Sequence, residues 1–289
     1  MNLSRNDLCW CGSGLKYKKC HIEFDKKLNS LESQGFQVPQ RQIIKTKEQI
    51  EGIRKSAIVN SAVLDLVAKN IKEGMSTEEI DKLVHDYTIS QGAVPATLNF
   101  QGYTKSLCTS INSEVCHGIP SENVILKNGD IVNIDVSTIL DGYFSDASRM
   151  FIIGETSEEA KKLVEVSREC LYKGIEAVKP WGFLDDIGAA VQEHAEKHGY
   201  SVVKDFGGHG IGLEFHEEPF VAHYGNRGEG MILVPGMIFT IEPMINEGSH
   251  EIVVDSEDGW TVYTEDGSLS SQWEHTILVT EDGVEILSK

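Results

Sequence analysis

The chain has 289 residues, of which 40% are hydrophobic, and its 26 Lys or Arg against 45 Asp or Glu give a formal net charge of −19. This length allows one large buried core, and the acidic balance opposes general affinity for DNA or other phosphate backbones. The sequence has no apolar run long enough to span a membrane and no apolar signal stretch at its start, so we expect a cytoplasmic protein without a membrane partner.

Three cysteines and a histidine lie close together near the start of the chain, as Cys9, Cys11, Cys20 and His21. Their C-x-C-x8-C-H spacing supplies four ligands, which form one of the usual sets for tetrahedral structural zinc. A disulfide would leave one cysteine unpaired and lacks the support of a secretory signal. Residues 1–24 resemble the SEC-C zinc motif, known at the C-terminus of the SecA translocation motor, and we expect one structural zinc ion there.

This N-terminal head is also locally basic. Residues 1–27 hold six Lys or Arg and three Asp or Glu, a local charge of +3. Lys16, Lys18 and Lys19 beside Tyr17 could contact ribosomal RNA or a ribosomal protein, but a solvated basic face would show the same pattern. Two hypotheses therefore stay open, a purely structural cap and an element that associates with the ribosome.

A polar segment, residues 25–42, follows the head and contains Gly35 and Pro39. Its composition predicts an extended linker that lies beside a large domain of residues 43–289. Capping signals and amphipathic patterns predict two pairs of helices in that domain. These helices run from Thr46 to about Ile71, from Ser76 to about Ser90, from Thr156 to about Val178 and from about Leu184 to His198.

Between the two helix pairs, Asp141-Gly142 is flanked by apolar runs and predicts a two-residue β-hairpin turn. Residue 140 then pairs with residue 143, which places Asp135 opposite Ser148 and Asp146 opposite Ser137. Because side chains alternate between the faces of a strand, the two aspartates share a face as diagonal neighbours.

Three more ligand-type residues stand in separate segments: His209 in Gly-His-Gly-Ile-Gly, Glu242 after a strand-like run that Pro243 stops, and Glu274 at the start of another strand. Each alone is more often a solvated or loop residue, and only the set of five favours one pocket. Carboxylates packed together repel one another unless cations neutralise them, and one imidazole among oxygens suits Mn, Fe or Co. Two ions about 3.5–4 Å apart can activate water and polarise a carbonyl, so amide hydrolysis is the expected chemistry.

From about Ile43 to Leu287 the chain resembles the type I methionine aminopeptidases, some of which carry the SEC-C motif at their N-terminus. The resemblance implies an α+β pita-bread fold, as in creatinase and the aminopeptidases, with pseudo-twofold symmetry and a curved, largely antiparallel sheet. The motifs that carry it are Val115-Cys-His-Gly-Ile-Pro120, Val132-Asn-Ile-Asp-Val136 with Asp146, Gly207-Gly-His-Gly-Ile-Gly212, Phe215-His-Glu-Glu-Pro219, Thr240-Ile-Glu-Pro243 and Gln272-Trp-Glu-His-Thr276.

The resemblance also implies residue roles. Asp135 and Glu274 hold one divalent ion, while Asp146, His209 and Glu242 mainly hold the other, with Co, Mn, Fe, Zn or Ni as candidates. Glu242 also moves a proton from the attacking water to the leaving amine. His117 and His216 contact the substrate amide and stabilise the tetrahedral intermediate. The pocket for the methionine side chain falls on Phe100, Tyr103, Cys108, His117, Phe215, His216 and Trp260.

The pocket residues have a simpler alternative, because ordinary core packing would explain any one of them. Thr97 and Phe100 stand where some family members have Cys and Tyr, which changes the rim of the pocket. Cys116 and Cys170 are expected to be buried, inert thiols.

The expected activity is metal-dependent removal of the initiator methionine from nascent proteins and peptides, preferably when the second residue is small. Nascent polypeptide N-termini are then the partners, and nothing in the pattern demands more than a monomer. Two other functions are alternatives. A peptidase for X-Pro bonds shares the fold and ligands, but usually has a large extra N-terminal domain and different motifs around the site. A non-catalytic adaptor predicts lost ligands, and none of the five is lost.

Overall fold

The computed structural model describes residues 3–289, in which pairs of helices alternate with groups of strands. The α-helices are α1 (Ile22–Ser33), α2 (Lys47–Asn70), α3 (Thr77–Ser90), α4 (Glu158–Ala177) and α5 (Asp185–Lys197). The strands are β1 (Val94–Pro95), β2 (Cys108–Ile111), β3 (Glu114–Cys116), β4 (Ile131–Leu140), β5 (Tyr143–Ile152), β6 (Ser201–Val202), β7 (Gly208–Gly210), β8 (Glu217–Val221), β9 (Ile238–Ile241), β10 (Met244–Asn246), β11 (Ile252–Val254), β12 (Val262–Thr264), β13 (Ser270–Gln272), β14 (Glu274–Val279) and β15 (Val284–Ser288).

A nine-stranded antiparallel sheet forms the centre of the molecule. Its main order is β1-β4-β5-β14-β9-β7-β8, with β2 paired to β4 and β15 paired to β14. Two three-stranded sheets, β13-β10-β6 and β11-β12-β3, complete the strand pairing. The first helix pair precedes β4 and β5, and the second precedes β7, β8 and β9, so the two halves of the large domain repeat one arrangement. This is the predicted pita-bread fold.

The register of the predicted hairpin is confirmed. Asp135 pairs with Ser148, and Ser137 pairs with Asp146. Both turn residues have positive φ, 51° at Asp141 and 82° at Gly142. This conformation is the one that a two-residue turn of the primed type requires.

Helix α2 packs on the hairpin through buried polar contacts as well as apolar side chains. Ser56 Oγ donates to Thr138 O at 3.0 Å, and Asn60 Nδ2 donates to Ser145 O at 3.1 Å. The predicted capping boxes are present, with Thr46 and Gln49 at the start of α2 and Ser76 and Glu79 at the start of α3.

The start of α4 differs slightly from the prediction. The N-cap is Ser157, which accepts from the backbone of Ala160, and not Thr156. Thr156 instead donates through Oγ1 to Gly129 O at 2.6 Å, which ties this loop to the end of the hairpin. Among the helices that the structure describes, none combines the length and the apolar composition of a membrane span.

The prediction of an extended segment for residues 25–42 is wrong over its first half, because α1 extends to Ser33. The helix was missed because its N-cap, His21, makes no side-chain capping bond, so the usual start signal is absent. Leu28 and Leu31 of α1 pack against the apolar core of the second half of the domain, which also includes Ile43 and Ile44.

Aromatic and charged contacts fix the head to the large domain. The ring of Phe24 lies 5.2 Å from that of Trp181, and Lys27 Nζ lies 3.7 Å from the centre of the same indole. Asp25 is buried, and its Oδ2 accepts from Trp10 Nε1, from Tyr17 Oη and from an Arg41 nitrogen at 3.1 Å. The head is therefore packed onto the domain rather than held beside it by a tether.

Candidate active site and candidate zinc site of the head

The five predicted ligand residues lie on or directly after five consecutive strands of the central sheet. Asp135 is on β4, Asp146 on β5, Glu274 on β14 and His209 on β7, while Glu242 follows the last residue of β9. Residues that are far apart in sequence thus meet in the middle of the sheet, where its two halves join.

The strand register explains why the carboxylates face one another. Ser148 pairs with Asp135 on one side and with Glu274 on the other, so these acidic residues occupy one row across three strands. Asp146 lies in the neighbouring row, where Ser137 Oγ donates to its Oδ1 at 2.9 Å. Because paired residues in neighbouring strands point to one face, these acids converge.

His209 completes the group from the opposite half. Its Nδ1 donates to Gly210 O at 3.0 Å, which leaves the Nε2 lone pair facing the acids. Nε2 lies 3.9 Å from Asp146 Oδ2 and 3.7 Å from Glu242 Oε1. Ligand atoms of Asp146, His209 and Glu274 all lie within 4.8 Å of one another.

The carboxylates of the group are buried close together, which disfavours their charged forms. Burial raises the pKa of Asp135 to about 7 and that of Glu242 to about 8. Burial and the neighbouring carboxylates raise the pKa of Asp146 and Glu274 well above the ordinary range, while burial lowers the pKa of His209 to about 3.

Two carboxylate oxygens, Asp135 Oδ1 and Glu274 Oε1, are buried without a hydrogen-bond partner among the described residues. A buried carboxylate oxygen without a donor is costly unless a cation faces it. Oxygen ligands, one neutral imidazole and free lone pairs together fit divalent metal ions.

All five residues line one cavity of about 460 Å³, and so does every residue predicted for the methionine pocket. One wall carries Phe100 and Phe215, whose rings lie 4.9 Å apart. A second pair of rings in the lining, Tyr103 and Trp260, lies 5.1 Å apart. Cys108 pairs with Asp135 across β2 and β4, and burial raises the pKa of its thiol, so the thiol stays neutral.

The two predicted catalytic histidines approach the cavity from different sides. His117 has a positive φ of 59°, and its ring packs edge-on against Phe206 at 5.5 Å and Trp260 at 6.2 Å. Burial lowers the pKa of His117 to about 4, so its imidazole is neutral. His216 is exposed at the cavity mouth, with its ring 4.2 Å from that of His209.

Several residues that support the site were not predicted. Gln272 Nε2 donates to Glu242 Oε2 at 3.1 Å, and Thr240 Oγ1 donates to Glu242 Oε1 at 2.7 Å. His223 Nε2 accepts from the Glu242 backbone N–H at 3.0 Å. Gln272 stood in a recognised motif, whereas a lone histidine such as His223 carried no signal. Asp205, Phe206, Phe220 and Met244 also line the cavity without having been predicted.

A buried ion pair supports the loop that bears His216. Lys45 Nζ contacts Glu217 Oε2, and the Glu217 side chain is only 12% exposed. The other carboxylate oxygen of Glu217 accepts from the backbone N–H groups of Leu213 at 2.7 Å and Glu214 at 3.1 Å. The Glu217 carboxylate therefore binds both Lys45 and the backbone of the loop that carries Phe215 and His216.

In the N-terminal head, the four predicted zinc ligands come together. Cys9 Sγ lies 3.1 Å and Cys20 Sγ 3.2 Å from His21 Nδ1, and the sulfurs of Cys11 and Cys20 are 3.5 Å apart. All three cysteines are free thiols. Four soft ligand atoms at these separations fit a tetrahedral zinc ion.

The fold and the acidic cavity define the class as a metal-dependent hydrolase. The model of metallopeptidase family M24 matches residues 51–281, and that of the SEC-C motif matches residues 5–22. The chain belongs to metallopeptidase family M24 and, within it, to the methionine aminopeptidases.

Individual relatives bear this out. Methionine aminopeptidase A of Synechocystis is 52% identical over 243 residues, which cover 84% of this chain and 96% of that protein. A methionine aminopeptidase of Chlamydia trachomatis is 46% identical over 293 residues, 99% of both chains, so it also aligns with the head. The crystal structure of methionine aminopeptidase from Rickettsia prowazekii matches with a TM-score of 0.84 and 48% identity, covering 85% of this chain and 99% of that one.

Proposed function

We propose that the chain removes the initiator methionine from nascent proteins and peptides in the cytoplasm, with two divalent ions and a preference for a small second residue. One observation supports this most directly: a single cavity places five ligand-type side chains next to a group of aromatic rings. An N-terminal residue with an apolar side chain can lie among the rings while its first peptide bond reaches the acids.

In this proposal Asp135 and Glu274 hold one ion, and Asp146, His209 and Glu242 mainly hold the other. The set accepts Co, Mn, Fe, Zn or Ni, since each binds oxygen ligands with an imidazole. When bound, the ions activate the attacking water and polarise the carbonyl of the first peptide bond.

The protein's own groups then orient the reaction. Thr240 and Gln272 hold the two oxygens of Glu242 in fixed positions, which suits a carboxylate that moves a proton from the water to the leaving amine. His117 and His216 reach the cavity from two sides, and as neutral imidazoles they can donate to the substrate amide as charge develops on it.

Specificity for methionine is assigned to Phe100, Tyr103, Cys108, Phe215 and Trp260, together with the two histidines. A thioether sulfur packs favourably against aromatic edges, and an unbranched side chain adapts to the irregular space beside aromatic rings. The preference for a small second residue is part of the proposal, and peptides that differ at that residue test it.

The test is hydrolysis of Met-Ala-Ser, Met-Glu-Ser and an X-Pro peptide by metal-stripped protein reconstituted separately with Mn, Fe, Co and Zn. We expect metal-dependent release of methionine from Met-Ala-Ser, slower release from Met-Glu-Ser and no cleavage of the X-Pro peptide. No cleavage of any peptide with any ion would refute the proposed activity. Cleavage of the X-Pro peptide alone would shift the assignment to a different peptidase.

Two variants separate the roles within the site. Asp135→Ala removes a ligand and should lower both bound metal and turnover by orders of magnitude. His216→Ala should lower kcat and leave bound metal nearly unchanged, because the residue acts mainly on the transition state. Asp86→Ala, an exposed acid of α3, is the matched control. Full metal content and normal turnover in Asp135→Ala would contradict the ligand assignment.

We further propose that the head associates with the ribosome. Lys16, Lys18 and Lys19 are all exposed, and they lie within four residues of the predicted zinc ligand Cys20 on an otherwise acidic protein. Electrostatic contact with RNA weakens steeply as salt rises. Co-sedimentation with ribosomes should therefore fall with salt and fall in Lys18→Glu/Lys19→Glu, but not in the control Lys82→Glu on α3. Equal sedimentation of all three proteins would leave the head as a structural cap.

A further inference from the structure

A third group of metal-ligating side chains lies outside both sites described above, on the outer face of the second helix pair. Glu169 of α4, His194 of α5 and His198, the residue that caps the C-terminus of α5, place their ligand atoms within 4.8 Å of one another. We propose that these three residues form a peripheral binding site for a divalent transition-metal ion, with zinc as the representative ion.

The two histidines lie four residues apart, with His194 in the last turn of α5 and His198 at its C-cap. Residues at positions i and i+4 share a face, so their imidazoles can bind one ion together. The ring centres of His194 and His198 are 4.5 Å apart. His198 Nδ1 donates to His194 O at 2.9 Å, which fixes the tautomer and leaves Nε2 with a free lone pair. This arrangement, a ring N–H held by a backbone carbonyl, is typical of metal-ligating histidines.

The third ligand comes from the neighbouring helix. Glu169 Oε2 lies 2.7 Å from His194 Nε2, and the two side chains are 47% and 16% exposed, respectively. An ion bound there takes the place of the proton between His194 Nε2 and Glu169 Oε2. The imidazole of His194 then carries its proton on Nδ1. Two imidazoles and one carboxylate are a ligand set that Zn²⁺ accepts, with solvent as a further ligand.

The backbone beneath the group is well fixed. Helices α4 and α5 approach closely, since a Cβ atom at Gly174 would lie 3.1 Å from Val191 Cγ2. Because rigid helices position ligands better than loops do, little ordering is needed on binding. The bound ion would join α4 to the end of α5 and stabilise the folded state by an amount that grows with the logarithm of the ratio of its concentration to its Kd.

The test is equilibrium dialysis of the full chain against Zn²⁺ at neutral pH, with zinc per chain measured by mass spectrometry. We expect one zinc fewer at saturation in His198→Gln and in Glu169→Gln than in the unaltered protein. The matched control is His250→Gln, a histidine outside the group whose side chain is 38% exposed, which should bind as much zinc as the unaltered protein. A second readout is the increase in Tm that added zinc produces, which should be smaller in His198→Gln.

The altered side chains lie outside the proposed catalytic machinery, so unchanged peptidase activity shows that a variant is correctly folded. A loss of zinc in an active variant is then a loss of a binding site. Equal zinc content and an equal Tm increase in His198→Gln and the unaltered protein would overturn the proposal. An equal loss in His250→Gln would also overturn it, since binding would then belong to surface imidazoles in general.

Discussion

The ion pair between Lys45 and Glu217 leads to the most specific prediction about stability. Lys45 is 4% exposed and Glu217 lies against the cavity, so both charges sit largely out of water. Lys45→Met keeps the length of the side chain and removes its charge. The Glu217 carboxylate is then buried without a cation, which costs roughly 3–5 kcal/mol of the free energy of unfolding.

A double variant tests whether the unpaired Glu217 carboxylate causes the loss of stability in Lys45→Met. In Lys45→Met/Glu217→Gln the charge is gone, and the amide oxygen can still accept from Leu213 and Glu214. We expect this variant to recover at least about 2 kcal/mol relative to the single change, because a neutral pair of similar shape avoids the unpaired charge. Lys82→Met, which removes an exposed ion pair with Asp86, should cost less than about 1 kcal/mol.

Urea unfolding at pH 7 measures all three variants against the unaltered protein, and peptide hydrolysis is measured in parallel. The single variant should also lose turnover, because Glu217, which holds the loop with Phe215 and His216, loses the ion pair that anchors it. A cost below about 1 kcal/mol for Lys45→Met, or a double variant no more stable than the single one, would refute the reasoning.

Three further outcomes are expected. Cys9→Ser should bind one zinc ion fewer and lower the Tm while tripeptide hydrolysis persists; loss of hydrolysis in a still-folded protein would place the head in the active site. Burial raises the pKa of Glu114 to about 7. Ionisation of Glu114 therefore lowers the free energy of unfolding as pH rises above the ordinary pKa of glutamate. Glu114→Gln should raise that free energy by roughly 1–2 kcal/mol at pH 8 and by little at pH 5. Equal gains at both pH values in urea unfolding would contradict this. Gly118→Ala places a Cβ 2.1 Å from Thr109 O, so the backbone beside His117 must shift. We therefore expect kcat to fall. An unchanged kcat would show that this close approach does not position His117.

The sequence predicted features that depend on local rules. The Asp141-Gly142 turn determined the hairpin register, and the register determined that Asp135 and Asp146 share a face. The capping boxes at Thr46 and Ser76 determined where two helices begin. Each of these signals lies within a few residues of the structure that it specifies.

Features that depend on distant contacts could not be predicted in this way. Lys45 and Glu217 are 172 residues apart, and neither has a neighbour that signals an ion pair. His223 supports Glu242 only because of how its loop packs against β9. Similarly, α1 was missed because its stability comes from packing against the second half of the domain and not from a capping residue.

The packing of the head also affects how the protein can be shortened. A truncated chain that begins at residue 43 would keep every residue of the proposed active site and would lose the side chains that cover Trp181 and Phe183. Two aromatic rings and part of the apolar core would then face water and favour self-association. Polar replacements at positions 181 and 183 are therefore the first changes to make when the domain is produced alone.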